Sequence, residues 1–252
     1  MEKHIDKTNP SPACISIKNV NKAFGNKQVL FDINLTVPHH QILGLLGPSG
    51  SGKTTLVKMI AGVDNPTSGE IYVLDSKMPK LSMMYNIGYM AQSDALYGEL
   101  TARENLDFFA SMYNMPKQKR KQRIENVMAL VNLSEHLNKQ VKLYSGGMKR
   151  RLSLAISLLH QPKVLILDEP TVGIDPVLRK SIWTELYNLS SQGTTIVVTT
   201  HVMDEAEKCD TLGMIRDGRL IATGSPEMLK EATKSGTLEE AFLYYGGGIN
   251  ES

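Results

Sequence analysis

The residues best placed to do chemistry stand in one short run: Gly47, Pro48, Ser49, Gly50, Ser51, Gly52, Lys53 and Thr54 follow the pattern G-x-x-x-x-G-K-[ST]. In this P-loop pattern successive backbone N–H groups and a helix N-terminus cradle phosphate oxygens, and the glycines let the backbone come close. Lys53 is expected along the β and γ phosphates of a nucleotide as a point charge, and the Thr54 hydroxyl on Mg²⁺. Thr55 adds a phosphate contact. The pattern carries weight only between a strand and a helix. Ile42-Leu43-Gly44-Leu45-Leu46, apolar on both faces like a central parallel strand, precedes it, and helix-compatible residues 54–61 follow.

A second group lies far along the chain. Val164-Leu165-Ile166-Leu167 reads as a buried strand that ends in Asp168 and Glu169, which puts two carboxylates at the carboxyl edge of a parallel sheet, where ligands bind in such folds. Asp168 is expected to hold Mg²⁺ directly or through water. Glu169, turned the other way by strand alternation, is the candidate base for a water attacking the γ phosphate. A further buried strand, residues 195–199, leads to His201. A lone histidine is usually structural, but this one ends a strand on the same edge as Asp168, where an imidazole can reach the γ phosphate or the water.

These groups need a scaffold. The 252 residues, 41% hydrophobic, suffice for one large domain or two small ones. Helix-like and strand-like stretches alternate, which predicts an α/β fold around a mainly parallel sheet. Phe31, Ile33, Leu35 and Val37 alternate with polar residues as in a half-buried strand that Pro38 ends. Thr101-Ala102-Arg103-Glu104 fits a capping box, and Ile124, Val127, Met128 and Val131 form a helical stripe behind Pro116. Residues 93–161 are therefore expected to be mainly helical, as a block inserted into the α/β core. Asp217-Gly218 suits a hairpin turn, while Ser225-Pro226-Glu227 and Thr237-Leu238-Glu239-Glu240 open two late helices.

The net charge of +2 demands neither nucleic acid nor an acidic membrane surface. Cys14 and Cys209 lack metal or CxxC spacing, consistent with a reduced, cytosolic chain. The polar stretch Met1 to Pro12 reads as a loose tail without the apolar run of a secretory signal. All apolar runs fall far short of the roughly 20 residues that span a bilayer, so a membrane role must come through a partner.

Tyr144-Ser145-Gly146-Gly147-Met148-Lys149-Arg150-Arg151 resembles the signature motif of the ATP-binding cassette family, and the resemblance runs from about Ile15 to Tyr245. It implies a P-loop NTPase, RecA-like core at about residues 14–92 and 162–225, with an antiparallel β portion. A helical subdomain at about 93–161 and a helical tail at about 226–252 complete the single domain. It further implies two cassettes paired head to tail, each offering Ser145, Gly146 and Gly147 to the ATP γ phosphate held by the other. Tyr144 and Met148 replace the usual leucine and glutamine; the serine and glycines that face the anion remain. Phe24 resembles the aromatic that stacks on adenine, with an ordinary core phenylalanine as the alternative. Gln92 resembles the glutamine that senses Mg²⁺ and water. Asp175, in Val172-Gly173-Ile174-Asp175, resembles the carboxylate of the loop through which paired cassettes communicate. The expected activity is hydrolysis of ATP to ADP and phosphate. The expected cofactor is Mg²⁺, and the partners are a second cassette and a separate transmembrane permease of exporter type, docked near Gln92 and residues 97–101. The chain is expected on the cytoplasmic face of the membrane. The rival reading is a soluble cassette acting on nucleic acid or in macromolecular assembly; Lys117, Lys119, Arg120, Lys121 and Arg123 are the basic cluster that would meet nucleic acid, but they are expected to form a solvated helix face, and nucleic acid is not the expected partner.

Overall fold

A computed structural model describes residues 13–93 and 95–247; the tail Met1 to Pro12 and Gly248 of the closing glycines lie outside them. The chain opens with β1 (Ala13–Phe24) and β2 (Lys27–Pro38), an antiparallel pair. It passes through β3 (Ile42–Leu46) to α1 (Lys53–Ile60) and returns in β4 (Ser68–Val73) and β5 (Ser76–Lys77). These strands, without β3, make one antiparallel sheet in the order β2-β1-β4-β5. After β6 (Ile87–Met90) come α2 (Ala102–Met112), α3 (Lys117–Leu130) and α4 (Gly146–Leu158), the helical block. The strand β7 (Val164–Asp168), the helix α5 (Pro176–Ser191) and the strand β8 (Thr195–Thr200) follow. Next come α6 (Met203–Ala206), the hairpin β9 (Thr211–Arg216) and β10 (Arg219–Gly224), and finally α7 (Pro226–Thr233) and α8 (Leu238–Tyr245).

The second sheet has the order β10-β9-β3-β8-β7-β6. Its pairs β3·β8, β3·β9, β7·β8 and β6·β7 are parallel, and only β10 runs against its neighbour. The continuous apolar runs of β3, β7 and β8 follow from burial on both faces. Leu43, Leu45, Val164, Ile166 and Val197 pack toward the antiparallel sheet and α1. Ile42, Leu46, Leu165, Leu167, Ile196 and Val198 pack toward the helical block and α5. Each fully buried aliphatic side chain contributes roughly 1.5–3 kcal/mol, so this sheet is the firm platform of the molecule, and its carboxyl ends carry the P-loop, Asp168 and His201.

Local signals account for most helix starts. Thr101 and Thr237 each form a complete capping box, with Glu104 and Glu240. Ser225 caps α7 ahead of Pro226. The predicted stripe Ile124, Val127, Met128 and Val131 is buried to the last residue, although Pro116 stands at the N-cap of α3, one place before the first helical turn. Among the described residues no helix is long and apolar enough to cross a membrane.

Candidate active site

The loop from β3 to α1 is held by contacts that admit no side chain at two glycines. A Cβ on Gly47 would lie 2.1 Å from the Ile215 carbonyl oxygen. Gly52, the N-cap of α1, has φ 104°, and a Cβ there would strike Leu30 at 2.5 Å. The helix it opens has no side-chain cap and no acidic residue in its first turn, so its N–H groups and positive dipole end point at whatever fills the loop. Lys53 curls back over the loop, its Nζ donating to Gly47 O at 2.7 Å and Pro48 O at 2.9 Å. Burial lowers the Lys53 pKa, opposed by the charges of Glu169 and Asp168. The Ser51 hydroxyl is buried with no partner among the described residues. Ser49, Gly50, Thr54 and Thr55 line a cavity of about 330 Å³ that Gln92 and Glu169 close from the other side. Val29, which nothing in the sequence marks, forms part of its wall.

Asp168 ends β7 and is fully buried. Its Oδ1 accepts from Thr199 Oγ1 at 2.6 Å and from Thr54 Oγ1 at 3.2 Å, while Oδ2 has no partner among the described residues. An orphaned carboxylate oxygen is costly to bury. Beside the Thr54 hydroxyl it supplies the hard oxygen ligands that Mg²⁺ takes together with substrate phosphates, so these residues fit that ion. Nearby Tyr89 has its pKa pushed up to about 12, first by burial and then by the charge of Asp168. It is therefore neutral and no base at ordinary pH.

Glu169 reaches the cavity by a different route from the one strand alternation predicts. The strand stops at Asp168, and Glu169 takes φ 52°, a left-handed conformation uncommon outside glycine and asparagine. Its N–H donates to Thr199 Oγ1 at 3.0 Å. Its carboxylate accepts from Gln92 Nε2 at 3.4 Å and meets His201 Nδ1 at 3.1 Å. An ionised carboxylate only accepts, so Nδ1 donates in this contact. Gln92 and His201, expected from separate segments, thus converge on one carboxylate.

Phe24 is no core residue. It ends β1 with 53% of its surface exposed, and Lys22 Nζ sits 4.7 Å from the ring centroid. Lys22 is in turn fixed by Asp64 at 2.7 Å. The signature residues stand elsewhere: Ser145 is the N-cap of α4, accepting from Met148 N at 3.3 Å, and is exposed. Ser145 and Gly147 line a cavity with Gly173, Ile174 and Asp175 that shares no residue with the P-loop cavity. Asp175 also caps α5, accepting from Leu178 N at 3.0 Å. The basic run of α3 is partly consumed internally, since Arg123 donates to Leu158 O and Leu159 O and Arg120 to Met115 O.

Set on the carboxyl edge of a parallel sheet, this constellation goes with a match to the ABC transporter family over residues 30–172. The chain belongs to that family. The cassette is 38% identical over 250 residues to the probable multidrug ABC transporter ATP-binding protein YbhF of Escherichia coli (strain K12), covering 95% of this chain and 43% of that protein. It therefore spans less than half the length of that relative. It is 41% identical over 224 residues to the Nod factor export ATP-binding protein I of Rhizobium johnstonii, covering 88% of this chain and 72% of that one. Among solved structures, it superposes on a dimeric ATP-binding cassette in a post-hydrolysis state bound to ADP and Pi with a TM-score of 0.78. That match has 28% identity and covers 84% of this chain and 98% of the other.

Two buried residues to which the sequence assigns no role tie the cassette together. Arg150, one turn into α4, donates to four backbone carbonyls of the segments that carry Gln92 and Glu169. Glu205 accepts from the hydroxyls of Thr171 and Thr200 and pairs with Arg179. Arg150 stands in the basic run Lys149 to Arg151 and Glu205 among the charged residues Asp204 to Lys208, so the sequence sets neither apart from its neighbours.

Proposed function

We propose that this cassette hydrolyses ATP at composite sites formed with a second cassette, and that the motion drives a separate membrane-embedded exporter. The observation that carries the reading is the Glu169 carboxylate, held between Gln92 and His201 at the mouth of the P-loop cavity. The P-loop amides and Lys53 bind the β and γ phosphates, and Phe24 offers an open ring face to adenine. Thr54 and Asp168 would hold Mg²⁺, which when bound offsets charge on the phosphate oxygens. Glu169 accepts a proton from a water as its oxygen bonds to the γ phosphorus and the bond to the ADP oxygen breaks. His201 restrains that carboxylate through Nδ1.

The second cavity explains the second cassette. Ser145 and Gly147 present a helix N-terminus to an anion, but this chain places no phosphate loop against them. A partner cassette in the head-to-tail arrangement supplies one. The dimeric relative bound to ADP and Pi supports this pairing. Tyr97 and Phe108, exposed and in edge contact at 5.0 Å, offer an apolar step for the membrane partner. The cassette then works at the cytoplasmic face, and the exporter direction follows the named roles of its relatives.

Glu169→Gln tests the reading, because it separates binding from chemistry. ATP affinity is expected to persist while hydrolysis slows by roughly 10²- to 10⁴-fold. In gel filtration the variant is expected to elute as a dimer with ATP and Mg²⁺ and as a monomer with ADP. A monomer under every condition, with parental ATPase activity, would sink both the base and the sandwich dimer.

A further inference from the structure

We infer that Arg150 is a positioning residue that links the signature helix of one composite site to the base of the other; the inference rests on the reading of Glu169 as that base. Arg150 is 7% exposed and lies in α4, five residues beyond its N-cap Ser145. One guanidinium nitrogen donates to Ala91 O at 2.6 Å and Gln92 O at 3.0 Å. The other donates to Asp168 O and, at 2.8 Å, to Glu169 O. The planar fork of arginine satisfies all four carbonyls at once, which an ammonium cannot do in a fixed plane.

The contact with Glu169 falls where the backbone most needs support. Glu169 holds φ 52°, a conformation that persists only when its surroundings over-determine it. Thr199 fixes the N–H side of this residue and Arg150 the carbonyl side. The same guanidinium holds the carbonyl of Gln92, whose side chain meets the Glu169 carboxylate. Base and sensor are thus set by one group rooted in α4. The N-terminus of that helix, Ser145 to Gly147, borders the separate cavity with Asp175. In the head-to-tail dimer that cavity receives the other cassette's phosphate, while Glu169 serves the nucleotide of its own chain. A small shift of α4 on closing there is carried by Arg150 to Glu169 and Gln92 here, so each site fires when the other is filled.

Arg150→Met and Arg150→Lys test this on the full chain by hydrogen exchange and ATPase kinetics, with ATP and Mg²⁺ or with neither. Arg150→Met is expected to raise exchange at least 10-fold in the peptides around Ala91 to Gln92 and Asp168 to Glu169, leaving α1 protected. It is expected to lower kcat by 10- to 100-fold at unchanged ATP affinity and to bring the Hill coefficient down to 1. Arg150→Lys is expected to fall between Met and the parent. Parental exchange in both peptides, or a lowered kcat with the parental Hill coefficient, would overturn the inference. If Arg150→Met does not fold, as judged by its thermal melt, the lysine variant carries the same readings. Glu169→Gln run alongside keeps the two ideas apart: parental activity in that variant removes the base, whereas the exchange result stands on its own for the link.

Discussion

The two halves of the proposed composite site differ sharply within this one chain. The P-loop half is built inward: Asp168 is fully buried, Lys53 is 5% exposed, and Gly47 and Gly52 are locked against Ile215 and Leu30. The signature half is built outward: Ser145, Gly146, Gly173 and Asp175 are all exposed, and the groups that face a ligand are backbone amides at a helix start. The first half carries its own charges, cavity and orphaned oxygen. The second has backbone amides at a helix start, and among the described residues none of the P-loop lines its cavity. On the proposed reading, nucleotide affinity resides in the monomer and catalytic competence in the pair, because an edge exposed to water gains little until a second surface excludes it.

The largest effect on stability is expected where the two halves are bound together. Glu205 joins Thr171, just past the carboxylates, to Thr200, just before His201, and it pairs with Arg179 at 3.8 Å behind the Asp175 loop. Glu205→Ala strands buried hydroxyls and a guanidinium and is expected to cost roughly 2–4 kcal/mol. That corresponds to a fall in Tm of about 5–10 °C in a thermal melt. Glu205→Gln keeps an acceptor and is expected to lose less than half as much. A melt of the alanine variant that matches the parent would show that the halves are independent.

Lys53→Ala then separates them. Removing the cation from the P-loop should weaken ATP binding by roughly 10- to 100-fold, the range for a lost charge-assisted hydrogen bond of about 1.5–3 kcal/mol. ADP, lacking the γ phosphate, should lose less. Direct titration with both nucleotides checks this, and an unchanged ATP affinity would place the nucleotide elsewhere. Ser145→Ala is the mirror test. Losing the N-cap of α4 costs about 1 kcal/mol of stability, and ATP affinity of the monomer should stay within about twofold. The ATP-bound dimer of a Glu169→Gln background should weaken by roughly 10-fold, read by light scattering against concentration. A fall in monomer affinity instead would mean that Ser145 acts within its own chain.

The same inward-outward contrast governs what the sequence reveals. Buried strands such as β3, β7 and β8 announce themselves because both faces are apolar, and the P-loop does because its glycines are forced by contact. The first strand is harder to read. Its pairing shifts register between Ile17 and Val20 and again before Lys22, so the two-residue alternation that marks a strand is broken. Asp175-Pro176 carries the helix-start signal that α5 uses, with Asp175 as its N-cap, but in the sequence the same aspartate also reads as the carboxylate of a communication loop. Strand alternation points Glu169 away from Asp168 for the wrong reason, since the left-handed turn that aims it is stabilised by Thr199 and Arg150 from distant segments. Such long-range hydrogen bonds leave no periodic trace, which is why Arg150 and Glu205 emerge only from the folded molecule.

Phe24 is the exception that sharpens the comparison, for it belongs to the inward half yet stands exposed. One face of its ring is covered by the Lys22 ammonium, itself anchored by Asp64, and on the proposed reading the opposite face takes a planar base. Stacking of this kind contributes about 0.5–1.5 kcal/mol, so Phe24→Ala is expected to lower nucleotide affinity by only about 2- to 10-fold. Because the base is common to both nucleotides, ATP and ADP should lose equally. That equality distinguishes it from Lys53→Ala, whose effect depends on the γ phosphate. Phe24→Tyr preserves the ring face and should bind both nucleotides within about twofold of the parent. Isothermal titration of the variants with ATP and ADP decides the matter. A loss confined to ATP would place Phe24 near the phosphates, and no loss in the alanine variant would leave the ring as a plain end to β1.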